Sequence, residues 1–362
     1  MSLFIELVQV ALGKRNELSR MPTAVEWEKI FDEAQRQAIS GLMIDGLERL
    51  PDSYRPPQNL LFECIGTAQI IEQNNRLHRS VLIKTKKCLQ EGGVDVAFMK
   101  GLICGARYNN PQRRQCGDID FVVAPDCFEK TLNLLEGIGE VDRTLVHEHH
   151  GMAFVDGVQL EPHYKVHNYQ NPKVDKAMRV MFAEVFPSRL DNVVLDSEEI
   201  PVFPPAFECA LLVGHMVNHV YAEGLGLRQV IDFWMFLKKE HEAVKSEECK
   251  RYLRMMQMER TFRIFSCLCE VYLGLPHELL GLDYTTKEEQ FATKLMDDIL
   301  VVGNFGRGVD YLGRNKAMMP LKSYLWVFKR CIKLGYLCPV EARWWPVSKF
   351  TRYFSGKLLK KR

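Results

Sequence analysis

Asp118 and Asp120 stand two residues apart in the stretch Gly117-Asp118-Ile119-Asp120-Phe121-Val122-Val123. Alternation along a strand turns both carboxylates to one face and sends Ile119, Phe121 and Val123 to the other. Neighbouring like charges only repel unless a cation bridges them, and carboxylate oxygens are the ligands that Mg²⁺ takes. Taken alone, such a pair also fits a strand end with two solvated acids. A second stretch adds a third acid: Met152–Val155, Asp156-Gly157 and Val158–Tyr164 read as a β-hairpin closed on an Asp-Gly turn. Its second strand sets Val158, Leu160 and Tyr164 against Gln159, Glu161, His163 and Lys165. Asp118, Asp120 and Glu161 together can hold two metal ions, one on a nucleotide triphosphate and one on an attacking hydroxyl. Replacing one of three clustered acids by an amide should then relieve repulsion in the metal-free protein.

Cationic and imidazole groups surround this pattern. Lys100-Gly101 ends an apolar strand, Val94–Met99, and opens a helix, where free N–H groups and the dipole favour phosphate. Arg113 and Arg114 lie just upstream of Asp118 and can fork onto phosphate oxygens or orient the acids. His163 lies two residues from Glu161 on the same strand face, able to orient that carboxylate or touch substrate. Five histidines, His147, His149, His150, His163 and His167, allow a zinc reading. However, His147 and His149 fall on one face of a strand and His150 on the other, and no spacing matches a helical zinc motif. Further on, His215 and His219 share a helix face at i,i+4, Arg228 follows on the next helix, and Asp232 one turn later is placed to hold its guanidinium.

These groups need elements to carry them. Trp27, Ile30, Phe31 and Ala34 recur at helical spacing, as does the stretch Asn59–Leu89, so residues 1–90 read as a helical lead-in. Strand periodicity then marks residues 91–190 as a mixed core, with helices at Gly101–Tyr108 and Asp126–Glu136. Helical segments return at Ala206–Tyr221, Leu227–Glu240, Tyr252–Tyr272, Lys287–Val302 and Leu321–Leu334, giving a helical region over 191–362. The turn-rich passage Pro187–Pro205 is the expected boundary. The fold class is therefore α+β: a small mixed sheet preceded and followed by helices.

The 362 residues carry 48 Lys and Arg against 46 Asp and Glu, which excludes a general nucleic-acid coat. Hydrophobic residues at 47% exclude wholesale disorder. No apolar run approaches the roughly 20 residues of a bilayer span. Met1–Leu12 reads as a first helix instead of a signal peptide, and eleven cysteines without repeated CxxC pairs suit reduced thiols, so the expected compartment is the cytoplasm. From Arg343 to Arg362 aromatics alternate with bases; this reads as a terminal helix packed on the core, with stacking on RNA or a membrane surface as the alternative.

Lys100-Gly101, Tyr108, Pro111, Arg114, Gly117-Asp118-Ile119-Asp120 and Leu160-Glu161-Pro162-His163, taken in order, resemble the polymerase-β-like nucleotidyltransferase superfamily. The resemblance is strongest to a bacterial branch of uncharacterised nucleotidyltransferases, which also has a helical lead-in and a later His-x3-His, here His215 and His219, followed by Gly226-Leu227-Arg228-Gln229 and Asp232. It extends over roughly Trp27 to Leu237 and is similar, more distantly, to abortive-infection toxin nucleotidyltransferases. Many superfamily members have Gly-Ser in place of Lys100-Gly101 and a third Asp in place of Glu161. The resemblance implies transfer of a nucleoside monophosphate from a nucleoside triphosphate, such as ATP, to an acceptor, with pyrophosphate released. Asp118, Asp120 and Glu161 are then the catalytic and metal-binding residues, with two Mg²⁺ ions or Mn²⁺ in their place. Lys100, Gly101, Arg113, Arg114, His163 and Arg228 are the expected nucleotide-binding residues. The acceptor, a small molecule, sugar, protein or RNA end, stays open, and nucleic acid is the less favoured partner. A nucleotide-binding or interaction protein that kept the fold without turnover is the competing reading.

Overall fold

The strand that carries Asp120 and the one that leads into Lys100 are buried on both faces, so helices must cover them on two sides. The computed structural model describes residues 1–144, 149–310 and 319–359. Four helices come first: α1 (Leu3–Ala11), α2 (Ala24–Arg36), α3 (Ser40–Arg49) and the long α4 (Gln58–Glu91). Thr23 and Glu26 close a capping box that fixes the start of α2. The mixed region runs β1 (Val96–Met99), α5 (Gly101–Gly105), β2 (Ile119–Val123), α6 (Phe128–Glu136), β3 (Glu140–Val141), β4 (Ala153–Val155), β5 (Val158–His163), α7 (Pro172–Val185), β6 (Asp191–Leu195) and β7 (Glu198–Val202). The remaining helices are α8 (Pro205–Ala222), α9 (Leu227–Lys239), α10 (His241–Lys245), α11 (Glu247–Met255), α12 (Glu259–Leu273), α13 (Thr286–Val302), α14 (Met319–Leu334), α15 (Pro339–Ala342) and α16 (Trp344–Leu359).

The seven strands form one mixed sheet in the order β3-β4-β5-β2-β1-β7-β6. Strand β2 pairs antiparallel with β1 and parallel with β5, and the latter register sets Asp120 beside Glu161 and Val122 beside His163. One face buries Phe98, Ile119, Phe121, Val123 and Leu160 against Leu82 and Leu89 of α4 and Leu132 and Leu135 of α6. Phe98 and Phe121 meet there at 5.5 Å between ring centroids, and truncating either to Ala would cost about 3–5 kcal/mol. The other face contributes Ala97, Met99 and Val122 to a core shared with α1 to α3 and with α8, α9 and α12. The acids therefore emerge on the side of the sheet covered by the helices that follow it.

Three departures from the expected elements matter for the site. The passage 187–205 holds the β6–β7 hairpin, which extends the sheet past β1 through Phe98↔Val202. The expected helix 252–272 is two, α11 and α12, because Gln257 takes φ 56° between them. Helix α5 has only five residues, too short to carry much of a macrodipole, which weakens the phosphate argument built on its start.

Candidate active site

The site grows from the β2–β5 register. Asp120 Oδ1 accepts from Lys100 Nζ at 2.8 Å and from His163 Nε2 at 2.9 Å. Glu161 Oε1 accepts from Gln159 Nε2 at 3.0 Å, and its Oε2 stands 3.9 Å from His163 Nε2 and 3.8 Å from His150 Nδ1. Asp118, half-buried one step before β2, lines the same cleft of about 490 Å³. Donor atoms of Asp120, Glu161 and His163 lie within 4.8 Å of one another, which among the described residues is the one such gathering of three acids, histidines or cysteines. It is open to a divalent cation.

Charge is distributed unevenly among the three acids. Burial pushes the Asp120 carboxyl up, but Lys100 and the hydrogen bond from His163 outweigh it and hold Asp120 well below the carboxylate range. Burial and the charge of Asp120 push Asp118 up. Burial, then Asp120 and Asp118, raise Glu161 to about 7. Burial lowers His163 to about 4, so its ring is neutral at pH 7. Its Nδ1 is buried without a hydrogen-bond partner, which assigns the ring proton to Nε2, donating to Asp120.

A test of this electrostatic picture needs no ligand. A carboxyl raised from 4.5 to about 7 on folding contributes stability that is present below 4.5 and lost as pH rises through 7. Glu161→Gln, neutral throughout, should therefore melt above wild type at pH 8 and close to it at pH 5, both in chelator. An equal difference at the two pH values would contradict the assignment.

The cationic groups divide differently from the sequence expectation. Arg113 does not line the cleft: its guanidinium is clamped by Asp45 at 2.7 Å, Glu48 at 2.7 Å and Glu72 at 3.0 Å, tying the segment before β2 to α3 and α4. Arg114 lines the cleft but is neutralised by Asp232, whose oxygens accept from Arg114 Nε at 2.8 Å and Nη2 at 2.7 Å. Tyr108 donates to the same carboxylate at 2.8 Å. Asp232 thus holds Arg114 and not Arg228. Arg228 Nη1 donates to the Gln115 carbonyl at 3.0 Å, its guanidinium lies 5.8 Å from the Phe305 ring centroid, and its Nε is buried without a partner. Lys100 sits at φ 56°, a costly backbone state for a side-chain-bearing residue. At Gly101, φ 31°, a Cβ would stand 3.2 Å from the Asp118 carbonyl oxygen, so glycine lets this turn approach the acidic segment.

Imidazoles pave one wall. The rings of His149, His150 and His163 lie 4.6–5.2 Å apart between centroids, His167 stands 5.9 Å from His215, and His215 and His219 are 4.4 Å apart. His219 and His215 share an Nε2···Nε2 hydrogen bond of 3.0 Å. Burial lowers His149, His167 and His215 well below the ordinary value and His219 to about 3, so these four rings are uncharged at pH 7. His149 and His150 are not in an extended strand with opposed faces: only His150 bridges to β5, and both line the cleft. His147 lies outside the described residues. Asn304, Phe305 and Arg307 also line the cleft and were not anticipated, although the glycine-rich run Gly303-Asn304-Phe305-Gly306-Arg307-Gly308 was a signal for a tight loop.

Residues 23–274 match the model of a family described as uncharacterised nucleotidyltransferase. Among solved structures, the chain is similar to an antigenic nucleotidyltransferase-like protein from Paracoccidioides brasiliensis at 14% identity and a TM-score of 0.33, over 54% of this chain and 92% of that one. No curated protein matches it significantly.

Proposed function

The chain belongs to the uncharacterised nucleotidyltransferase family, and on that premise we propose that it transfers a nucleoside monophosphate from a nucleoside triphosphate to an acceptor hydroxyl in the cleft beside β2 and β5. The observation that carries this reading is the parallel register that sets Asp120 against Glu161, with Asp118 in the same cleft. The donor set fits a hard divalent cation such as Mg²⁺: donor oxygens of Asp120 and Glu161 gather within 4.8 Å, Asp118 lines the same cleft, and burial, then the charges of Asp120 and Asp118, raises Glu161 to about 7. When bound by Asp118, Asp120 and Glu161, such an ion offsets the charge of the triphosphate and of the transferring phosphoryl group.

The chain's own residues do the rest. His163 keeps the Asp120 carboxylate aimed into the cleft through its Nε2–H. Lys100 exchanges its contact with Asp120 for a triphosphate oxygen, a short move for a flexible ammonium. Arg228, held by one carbonyl and a ring rather than by a carboxylate contact, offers the remaining positive charge. Phe305, 43% exposed at the cleft, gives a flat face for a base. The acceptor oxygen attacks the α-phosphorus, its proton passes to Glu161, and the bond from the α-phosphorus to the bridging oxygen breaks to release pyrophosphate.

Arg228→Gln should weaken nucleoside triphosphate binding by about tenfold or more while leaving the melting temperature within a few degrees of wild type. Titration by calorimetry measures this, and unchanged affinity would remove Arg228 from the triphosphate site. The proposal as a whole is tested by pyrophosphate release from each of the common nucleoside triphosphates in Mg²⁺ and cell extract. Triphosphate binding without release under any of these conditions would leave a binding protein in place of an enzyme.

A further inference from the structure

Charge is strongly segregated along the chain. Residues 319–362 hold eleven Lys and Arg and a single acid, Glu341, which leaves 37 bases against 45 acids in the rest. Glu341 is 2% exposed, so it does not offset the bases at the surface. Two of those bases, Arg330 and Lys333, share the single negative charge of Asp298.

The same segment exposes apolar side chains in a pattern. On α14, Leu321, Leu325, Phe328 and Ile332 follow one another at i, i+4, i+7 and i+11, a single helix stripe. They are 43, 43, 41 and 70% exposed, so this stripe faces away from the core that an amphipathic helix ordinarily covers. Lys322, Lys329 and Lys333 each follow a member of the stripe and flank it. Alongside, α16 exposes Trp344, Val347 and Phe350 while Trp345, next in sequence to Trp344, is buried. Tyr324 stacks on Phe328 and tilts against Phe350, joining the two helices across an apolar groove of about 680 Å³. The terminal aromatics therefore do not all pack on the core.

We infer that α14 and α16 form a peripheral docking surface for an anionic lipid bilayer. Exposed aliphatic and aromatic side chains on one side of a helix, flanked by lysines, are what an interfacial helix presents to the boundary between headgroups and acyl chains. Aliphatic Leu321, Leu325, Ile332 and Val347 have no use for stacked bases, which favours lipid over RNA. The excess of positive charge complements a negative membrane surface. No helix among the described residues is long and apolar enough to span a bilayer, and this mode of attachment needs none.

Sedimentation of the full chain with vesicles of phosphatidylcholine alone and with about a third phosphatidylserine tests the surface. Binding should require phosphatidylserine and weaken at high salt. The double variant Ile332→Glu with Phe350→Glu should lose about tenfold or more in vesicle binding and keep its melting temperature, since both side chains are at least half exposed. Failure to bind anionic vesicles at low salt, or binding that the double variant leaves unchanged, overturns the inference. So does tight binding of a single-stranded RNA with no vesicle binding, or a dimer that the double variant converts to a monomer, since either result gives the surface to a different occupant.

Discussion

Asp120→Asn should reduce nucleotidyl transfer by about a thousandfold or more without unfolding the protein. The amide nearly preserves volume but removes the charge that Lys100 and a bound cation both require. Its stability should not rise. Asp120 is the acid held below the ordinary range, whereas the repulsion falls on Glu161 and Asp118. Losing it strands a buried ammonium, so the metal-free variant should melt at or below wild type. Added Mg²⁺ and nucleoside triphosphate should raise the melting temperature of wild type and raise that of Asp120→Asn much less. Full activity in the variant, or equal stabilisation by the ligands, would make the acidic strand structural.

Asp232→Ala should cost as much stability as emptying an aromatic position in the sheet core. Arg114 and Asp232 are both at least nine-tenths buried and joined by two hydrogen bonds, and Tyr108 spends its hydroxyl on the same carboxylate. Removing the acid leaves an uncompensated guanidinium in the interior, a change that costs about 3–5 kcal/mol. Chemical denaturation should show the midpoint falling by a corresponding amount. Arg113→Ala, whose partners are more exposed, should fall less. If Asp232→Ala were as stable as wild type, the pair would not be the pin that joins the β2 approach to α9.

The candidate site was legible where it depended on local geometry. Strand alternation placed Asp120 and Val122 opposite Phe121 and Val123, and the Asp156-Gly157 turn fixed which face Glu161 would share with His163. Pairing at a distance was not. Arg113 and Arg114 are neighbours whose side chains diverge, one to α3 and α4 and the other to α9, and nothing local says which way either turns. Asp232 sits one helical turn from Arg228, yet its partner Arg114 is 118 residues away and offers a buried bidentate fit that the helical neighbour lacks. The β6–β7 hairpin escaped notice because β6 is an exposed edge strand with no hydrophobic alternation. Its turn at Asp196-Ser197 takes positive φ without glycine. The imidazole wall was visible only as scattered histidines, since its rings come from β5, the segments around it and α8.

The most direct measurement follows two labels in parallel. The chain is incubated in cell extract with Mg²⁺ and a nucleoside triphosphate labelled either on the α- or on the γ-phosphorus, beside Asp120→Asn. Nucleotidyl transfer predicts the α-label on an acceptor and the γ-label in pyrophosphate, with neither product from the variant. Transfer of the γ-label to an acceptor, or the same products from Asp120→Asn, would contradict it.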